Sequence, residues 1–543
     1  MADNLSIGEY LIKRVYDLGI RHVFGIPGDY VIGFFGMMEK SHLNIVNTCD
    51  EQSAGFAADA YARMKGLGVV CVTYGVGGLK LANTTAQAFA EKSPVLVISG
   101  APGQQERLKN PMLHHKVNLF NDQFKVFERL TVASSELSDP ERAFFEIDRV
   151  LDAILQNKRP GYLELPRDMI SIVPKNQSLP MASSSPLAAD PDTLTEAVEE
   201  ATMMINQAEK PVILAGMGVE RYGLADQVLG MASRGNIPLT ASIMGKSAIP
   251  EEESLYMGVY AGILGNEGVR DYVESSDCII MVGAYLSDLD IGALTAPIDQ
   301  NKVIHITADR VTLRHHIYPG LGFNLLIALT KAGLRRHEPG DMPCCWRQNP
   351  SATAVPDAKI TAERVFQYVS SFLDEKNILI PDVGDALFGS AEISLACPFI
   401  SPAYYASMGF SVPASIGAQL ACPELRPVVI VGDGAFQMTG MEVSTAVKYG
   451  LNPIVIVLNN QGYGTLRLVN DGCFNDLFPW KYSRVPEVIG TGMGKVVRTE
   501  MEMEEALDCA RNYNGLCILE VILEKNSVSL PLQRLGMALK KRL

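Results

Sequence analysis

A carboxylate and an amide each follow an apolar segment in the last third of the chain. The run Val428–Val431 ends at Gly432-Asp433-Gly434, and a second run over residues 453–458 ends at Asn459-Asn460. If both runs are buried parallel strands, their ends bring these side chains to one edge of a sheet. Their oxygens suit Mg²⁺, and the glycines allow phosphates to approach. The pattern predicts a metal-held diphosphate site, although an Asp there could instead cap the following helix.

The N-terminal third offers further groups that can transfer protons. Glu51 follows a strand-like segment and opens an alanine-rich helix, Asp29 follows a turn that contains Gly and Pro, and His114 and His115 are adjacent in a loop. Each also has an ordinary structural interpretation, respectively as a first-turn acid favoured by the helix dipole, as a helix N-cap and as solvated surface. The segment Thr73-Tyr74-Gly75-Val76-Gly77 could equally be a turn at a sheet edge.

Alternating strand and helix patterns indicate that three doubly wound α/β domains with parallel sheets position these groups. The predicted domains cover residues 1–175, 193–335 and 359–543, with aperiodic linkers at 176–192 and 336–358. The predicted strands are His22–Ile26, Leu43–Asn47, Val69–Thr73, Val95–Ser99, Gly161–Glu164, Pro211–Ala215, Ile237–Thr240, Cys278–Val282, Lys302–Ile306, Ile378–Pro381, Val428–Val431, Ile454–Leu458 and Leu516–Val521.

Composition argues against several classes of function. The 543 residues are 47% hydrophobic and 20% charged, and the net charge of -14 with scattered basic residues argues against a nucleic-acid surface. No run of about 20 apolar residues predicts a membrane span. The 10 cysteines lack zinc-ligand spacing, and the adjacent pair Cys344-Cys345 suits no ordinary disulfide. With an N-terminus unlike a signal peptide, we expect a reduced, cytoplasmic protein.

The Gly432-Asp433-Gly434 turn, followed a helix and a strand later by Asn459-Asn460, resembles the thiamine diphosphate signature of the decarboxylase, oxidase and synthase superfamily. The resemblance implies Mg²⁺ bound by Asp433, the side chain of Asn460 and the backbone oxygen of Gly462. It also implies that Glu51 contacts the aminopyrimidine ring of the cofactor. That role needs a carboxyl that keeps its proton near neutral pH, which a dry setting would favour.

Three further matches narrow the resemblance to the pyruvate, indolepyruvate and phenylpyruvate decarboxylases, over essentially the whole chain. They are the turn Phe24-Gly25-Ile26-Pro27-Gly28-Asp29, the glycine loop of residues 73–77 and the His114-His115 pair. The resemblance implies catalytic roles for Glu51, Asp29, His114 and His115. It makes residues 1–175 the aminopyrimidine-binding domain and residues 359–543 the diphosphate-binding domain.

The same resemblance implies a set of cofactor and substrate contacts. Cofactor contacts would be Glu51, Thr73, Gly384, Asp385, Ala386, Ala406, Met408, Asp433, Gly434, Ala435, Asn460, Gly462 and Tyr463. Met408 would pack under the cofactor and hold its two rings in a bent conformation, although it could also be an ordinary residue of the hydrophobic core. The substrate pocket would contain Val383, Leu387, Phe388, Leu466 and Asp288.

Leu466 is a departure from the pyruvate-type pattern. Pyruvate decarboxylases carry a Glu in a Gly-Tyr-Thr-Ile-Glu context, whereas this chain has Gly462-Tyr463-Gly464-Thr465-Leu466. The chain is similar here to the phenylpyruvate decarboxylase branch. We therefore expect a preference for bulky apolar 2-oxo acids, such as phenylpyruvate, indolepyruvate and branched or long-chain aliphatic ones.

The implied reaction is non-oxidative decarboxylation of a 2-oxo acid to an aldehyde and CO₂ through a thiamine ylid and an enamine. The family arrangement also implies a homodimer or homotetramer with the active site at the subunit interface. Two alternatives remain open, a carboligase similar to benzaldehyde lyase and a non-catalytic cofactor-binding regulator. The histidine pair argues against a flavin-dependent oxidase or an acetolactate synthase.

Overall fold

The first sheet lies in the N-terminal third of the chain. A computed structural model describes residues 4–175, 190–292, 296–343 and 353–540. The first sheet has six strands in the order β2-β1-β3-β4-β6-β5, and the paired strands are parallel. Its strands are β1 His22–Gly25, β2 Asn44–Asn47, β3 Gly68–Val72, β4 Val95–Ala101, β5 Ala133–Glu136 and β6 Gly161–Pro166. The accompanying helices are α1 Ile7–Asp17, α2 Ile32–Glu39, α3 Glu51–Lys65, α4 Ala82–Ala90, α5 Asp122–Leu130 and α6 Pro140–Asn157.

The second sheet has seven strands in the order β13-β12-β11-β10-β7-β8-β9. The strands are β7 Pro211–Ala215, β8 Leu239–Ala241, β9 Tyr256–Val259, β10 Cys278–Val282, β11 Val303–Ile306, β12 Arg310–Leu313 and β13 His316–Pro319. The helices are α7 Pro191–Gln207, α8 Met217–Arg221, α9 Ala225–Gly235, α10 Glu267–Glu274 and α11 Asn324–Leu329. Strands β11, β12 and β13 pair antiparallel, unlike our expectation of a wholly parallel sheet. Their short connections leave no room for the crossover that parallel pairing requires.

The third sheet has five strands in the order β14-β15-β16-β18-β17. The strands are β14 Asn377–Pro381, β15 Arg426–Gly432, β16 Ile454–Asn459, β17 Met493–Val497 and β18 Cys517–Ile522. The helices are α12 Ala362–Phe372, α13 Asp385–Glu392, α14 Ser411–Ala421, α15 Asp433–Thr439, α16 Val443–Lys448, α17 Gly464–Arg467, α18 Val485–Ile489, α19 Glu500–Asn512 and α20 Leu530–Lys540. Three mostly parallel sheets with helices between their strands confirm the predicted fold class.

Burial on both faces explains why the central strands read as continuous apolar runs. Strands β3, β4, β6 and β16 are buried along their whole lengths. A strand covered by helices on both faces has no solvent-facing side chains to alternate with buried ones. Among the strands that were not predicted, β5 and β17 are only partly buried and carry polar residues or glycine, so they lack that signal, whereas β9 is mostly buried and was also missed.

By their internal contacts, the described residues divide into two compact units. One comprises residues 4–175, 405–429 and 435–453, and the other comprises 190–292, 296–343, 353–404, 430–434 and 454–540. Residues 176–189 of the first predicted linker and residues 344–352 of the second, with Cys344 and Cys345, lie outside the described residues. The three predicted domain boundaries stay a prediction. Within the described ranges, no helix combines the length and apolar composition that crossing a membrane requires.

Candidate active site

Asp433 lies directly after β15, and its carboxylate connects the ends of two neighbouring strands. Its Oδ1 accepts the Gly434 N–H at 2.8 Å, and its Oδ2 accepts the Gly462 N–H at 3.0 Å. The side chain is buried, and this burial raises the pKa of the Asp433 carboxyl to about 6. A nearby cation would favour the ionised carboxylate, because it would compensate for the lost hydration.

Asn460 follows β16, the strand next to β15, and its half-buried side chain lies beside Gly464. The preceding Asn459 has a structural role, since its Nδ2 donates to Glu520 Oε1 at 2.8 Å. A Cβ placed on Gly462 would lie 2.1 Å from the backbone oxygen of Asn475, so only glycine fits there. A carboxylate, an amide and a backbone carbonyl are oxygen donors of the kind that Mg²⁺ prefers, so the chemistry of these residues fits the metal, and their joint binding of it stays a prediction.

Two residues in this region are glycine for different structural reasons. A Cβ on Gly434 would lie 2.6 Å from the ring of Tyr463, so the ring packs directly on the first turn of α15. Gly384 has φ 90° and immediately precedes α13. Glycine adopts this left-handed conformation without the steric cost that other residues incur. The backbone at Gly384 suits a chain segment that approaches a diphosphate closely.

The carboxyl of Asp385 is engaged within the protein. It accepts hydrogen bonds from the N–H and the hydroxyl of Ser529, and burial raises the pKa of Asp385 to about 6. Asp385 therefore anchors the chain before α20, so the cofactor contact predicted for this segment would come from its backbone. Ala386, Leu387 and Phe388 are buried, whereas Val383 is half-buried.

The remaining predicted pocket residues are accessible. Leu466, on the short helix α17, has 55% of its surface exposed. Asp288 is also exposed. The neighbouring Thr465 lies beside Gly384, because its Oγ1 is 3.1 Å from the position of a Cβ on that glycine. Leu466 thus follows a residue that packs against the predicted diphosphate segment.

Glu51 is the first residue of α3, as predicted, and Asp50 is its N-cap. Its Oε2 accepts a hydrogen bond from Lys80 Nζ at 2.8 Å, and only 13% of the Glu51 side chain is exposed. The carboxylates of Asp50 and Glu51 raise the pKa of Lys80. This ion pair was missed by the sequence reasoning, which expected a dry setting. Lys80 follows the glycine loop by three residues, and no spacing pattern in the sequence links it to Glu51.

Asp29, His114 and His115 converge, as the resemblance implied. His114 Nε2 lies 2.7 Å from Asp29 Oδ2, and the ligand atoms of the three side chains lie within 4.8 Å of one another. The Tyr30 ring stacks on His114 with centroids 4.8 Å apart. Arg167 Nη1 lies 3.7 Å from Asp29 Oδ2, which adds a positive charge that the sequence reasoning missed.

The glycine loop of residues 73–77 packs against the backbone next to Asp29 and against that of His115. A Cβ on Gly28 would lie 2.5 Å from Thr73 Cβ, and a Cβ on Gly75 would lie 2.4 Å from the His115 backbone oxygen. Thr73 Oγ1 is buried without a hydrogen-bond partner among the described residues. A buried hydroxyl that lacks a partner is costly, so it fits the predicted cofactor contact.

The segment that contains Ala406 and Met408 has a constrained backbone. Ala406 has φ 60°, and Gly409 has φ 84°. A non-glycine residue in this conformation costs about 1–3 kcal/mol and persists only where its surroundings hold it. The Tyr405 N–H donates to Glu91 Oε1 at 2.8 Å, which is one such restraint. Met408 is half-buried, which suits a side chain that packs against a ligand.

The predicted site residues are divided between the two units. The first unit contains Glu51, Thr73, Asp29, the histidine pair, Ala406, Met408 and Ala435, whereas the second contains residues 383–388, Asp433, Gly434, Asn460, Gly462, Tyr463, Leu466 and Asp288. Within the first unit Asp29, His114 and His115 lie together, and within the second Asp433 contacts Gly462. The joining of both groups into one site stays a prediction.

Comparison with known proteins covers most of the chain. Residues 5–125, 198–324 and 383–521 match the N-terminal TPP binding domain, the central domain and the C-terminal TPP binding domain of thiamine pyrophosphate enzymes. The chain is 35% identical to an indole-3-pyruvate decarboxylase of Azospirillum brasilense, over 98% of this chain and 97% of that protein. It is 34% identical to a pyruvate decarboxylase of Aspergillus terreus, over 95% and 93%.

A third relative is an alpha-keto-acid decarboxylase of Mycolicibacterium paratuberculosis, which is 29% identical over 96% of this chain and 94% of its own. All three relatives are aligned over nearly their full lengths, and the family domains fall in the same order as the three sheets. The chain belongs to the thiamine pyrophosphate-dependent 2-oxo acid decarboxylase family and is a carboxy-lyase.

Proposed function

We propose that this enzyme decarboxylates bulky apolar 2-oxo acids to aldehydes, with phenylpyruvate, indolepyruvate and branched or long-chain aliphatic acids as its substrates. Leu466 carries the proposal, because an exposed leucine stands where the pyruvate-type pattern has a glutamate. Relatives named for indole-3-pyruvate and for pyruvate are about equally similar in sequence, so overall identity does not decide between the substrates. The proposal therefore depends on the identity of the residue at position 466.

Thiamine diphosphate with Mg²⁺, when bound, supplies the electron sink that decarboxylation of a 2-oxo acid requires. Asp433, Asn460 and the Gly462 carbonyl would hold the metal. The Thr73 hydroxyl and the backbone of residues 384–386 would contact the cofactor, and Met408 would support its rings. Glu51 would hold a proton at the aminopyrimidine, and its pairing with Lys80 would have to loosen for it to do so.

Proton transfer to the product is assigned to Asp29, His114 and His115. The 2.7 Å contact between His114 Nε2 and Asp29 Oδ2 lets a proton be shared between a ring nitrogen and a carboxylate. Imidazoles can gain and lose protons near neutral pH. Because the ligand atoms of the three side chains lie within 4.8 Å of one another, the three would act as one proton-transfer unit.

Leu466 would act through size and polarity. An apolar wall accommodates an aromatic or branched side chain and leaves the substrate carboxylate poorly solvated, which favours loss of CO₂. We also propose a cytoplasmic homodimer or homotetramer in which one subunit's Glu51 and the other's Asp433 complete each site.

A profile of kcat/KM over 2-oxo acids of graded size tests the substrate proposal. Pyruvate, 2-oxobutanoate, 4-methyl-2-oxopentanoate, indolepyruvate and phenylpyruvate would be assayed with thiamine diphosphate and Mg²⁺ in excess. We expect kcat/KM to rise with apolar side-chain size. A higher kcat/KM for pyruvate than for both phenylpyruvate and 4-methyl-2-oxopentanoate would reject the proposal.

A further inference from the structure

Gln123 is a buried residue whose side-chain amide binds the backbone of the glycine loop. It lies near the start of α5, and its Oε1 accepts the Gly75 N–H at 2.7 Å. A Cβ on Gly78 would lie 2.2 Å from the same oxygen, so the amide fits closely against the loop. Because Gly75 N–H can only donate, this contact fixes which end of the amide faces the loop.

The other end of the amide is held within the first sheet. Gln123 Nε2 donates to Ser99 Oγ and to Tyr162 Oη, each at 2.7 Å, and Tyr162 Oη donates to Glu164 Oε2 at 2.7 Å. All four side chains are buried. The chain of hydrogen bonds therefore ties the loop to strands β4 and β6, and no water-exposed group takes part in it.

The loop held by Gln123 contacts both sides of the proton-transfer group. Thr73 packs on Gly28, the residue before Asp29, and Gly75 packs on the backbone of His115. These approaches leave no room for even one additional carbon atom. A shift of the loop by a few tenths of an ångström must therefore move the Asp29 turn or the His115 backbone.

We propose that Gln123 is a positioning residue for decarboxylation, which sets the separation of Asp29 and His115 through the glycine loop. The inference rests on the proposed function, because it assigns Gln123 to the geometry of that site. Gln123 touches no reacting group itself. Its contribution lies in the hydrogen bond from Gly75, which fixes the loop against the sheet.

Gln123→Leu and Gln123→Glu test the proposal, with Gln419→Leu as a matched control. Gln419 is also a buried amide, and its Oε1 accepts the Asn452 N–H at 3.1 Å in another part of the same unit. We expect Gln123→Leu to lower kcat for phenylpyruvate roughly 10- to 100-fold, with KM changed less than about threefold, because small displacements of reacting groups are costly. Gln123→Glu keeps an acceptor for Gly75 N–H but loses both hydrogen bonds that Nε2 donates to Ser99 and Tyr162, so its kcat should lie between those of wild type and Gln123→Leu.

A second readout does not depend on catalysis. Histidine-labelled protein without cofactor would be titrated by NMR, and the His114 and His115 resonances should shift in Gln123→Leu but not in Gln419→Leu. If both leucine variants lower kcat equally and leave these resonances unchanged, Gln123 is only structural and the inference is wrong. If Gln123→Leu does not fold, Gln123→Asn replaces it, and unchanged kcat with unchanged resonances in that shortened amide rejects the inference.

The two readouts separate the inference from the proposed function. Wild-type protein that releases no CO₂ from any 2-oxo acid would reject the proposed function, while the NMR comparison would still decide whether Gln123 positions the histidines. Active wild-type protein with identical histidine resonances and kcat in all Gln123 variants would reject the inference alone.

Discussion

Nε2 of His114 lies 2.7 Å from Oδ2 of Asp29, although the two residues are 85 positions apart in the sequence. One residue follows the first strand of the first sheet, and the other lies in a loop beyond its fourth strand. The glycine loop packs closely against Gly28 and against the His115 backbone, so backbone packing as well as side-chain attraction positions the two segments. A shared proton between these groups is the basis of the first prediction.

Asp29→Asn should lower kcat about 100- to 10,000-fold for phenylpyruvate, because an amide cannot exchange a proton with His114 as a carboxylate does. The measurement is the steady-state rate of CO₂ release with saturating cofactor. Asp17→Asn, which alters a surface acid paired with Lys13, is the control and should retain the wild-type rate. An Asp29→Asn enzyme with kcat near that of the control would remove Asp29 from the mechanism.

Leu466→Glu should shift substrate preference toward smaller acids. A charged carboxyl in place of an apolar wall repels the aromatic ring and the substrate carboxylate, and we expect the ratio of kcat/KM for phenylpyruvate to that for pyruvate to fall about tenfold or more. Leu466→Met, which keeps an apolar side chain of similar volume, should leave the ratio close to wild type. An unchanged ratio in Leu466→Glu would show that this position does not contact the substrate side chain.

Glu164→Gln should raise the free energy of unfolding near neutral pH, because it removes the cost of keeping a buried carboxyl protonated there. Burial raises the pKa of Glu164 from 4.5 to about 7, so the folded protein binds a proton that the unfolded chain releases between these values. Stability linked to Glu164 is therefore present below pH 4.5 and is lost as the pH rises through 7. Relative to wild type, the variant should gain on the order of 3 kcal/mol in unfolding free energy between pH 4.5 and 8.

Glu9→Gln is a control with the opposite sign. Hydrogen bonds from the backbone and the side chain of Ser6 lower the pKa of Glu9, so its stabilising contribution is present above pH 4.5 and is lost only as the pH falls. The difference between this variant and wild type should stay constant from pH 5 to 8. A Glu164→Gln difference that is also constant over that range would mean that Glu164 is ionised in the folded protein. Both series require urea unfolding curves at each pH.

Gly417→Ala should destabilise the crossing of α14 with α3. A Cβ on Gly417 would lie 1.9 Å from the backbone oxygen of Ala57, and neither helix can yield without losing its own packing. We expect a loss of about 1–3 kcal/mol, seen as a lower Tm. Gly36→Ala is the matched control within α2 and the same unit, where a Cβ meets nothing within 4 Å. Gly36→Ala should raise the free energy of unfolding by up to about 1 kcal/mol. Equal changes in Tm for the two variants would contradict the close packing of α14 on α3 at Gly417.

The sequence predicted the parts of the fold that depend on local composition. Buried central strands such as β16 are visible in the sequence as apolar runs. The glycines beside Asp433 and at position 384 mark turns, and Gly384 does adopt a positive φ. The antiparallel strands β12 and β13 were missed, because four-residue strands with mixed burial give no clear period. Their direction is set by tertiary pairing.

The candidate site was predictable where a motif carried the chemistry. Asp29, His114 and His115 came from the resemblance, and the structure brings them together. Lys80 beside Glu51 and Gln123 beneath the glycine loop could not be derived from spacing. The Gln123 contact spans 48 residues, and a single glutamine in the first turn of an amphipathic helix has no pattern of its own.

The most direct test of the account is CO₂ release from phenylpyruvate by protein stripped of cofactor and metal and then reconstituted. Thiamine diphosphate and Mg²⁺ together should restore release in the wild type, and either alone after EDTA treatment should not. Asp433→Asn should require a much higher Mg²⁺ concentration, because an amide is a weaker ligand than a carboxylate. Release that is unaffected by removal of both components, or no release after reconstitution with both, would contradict the central claim.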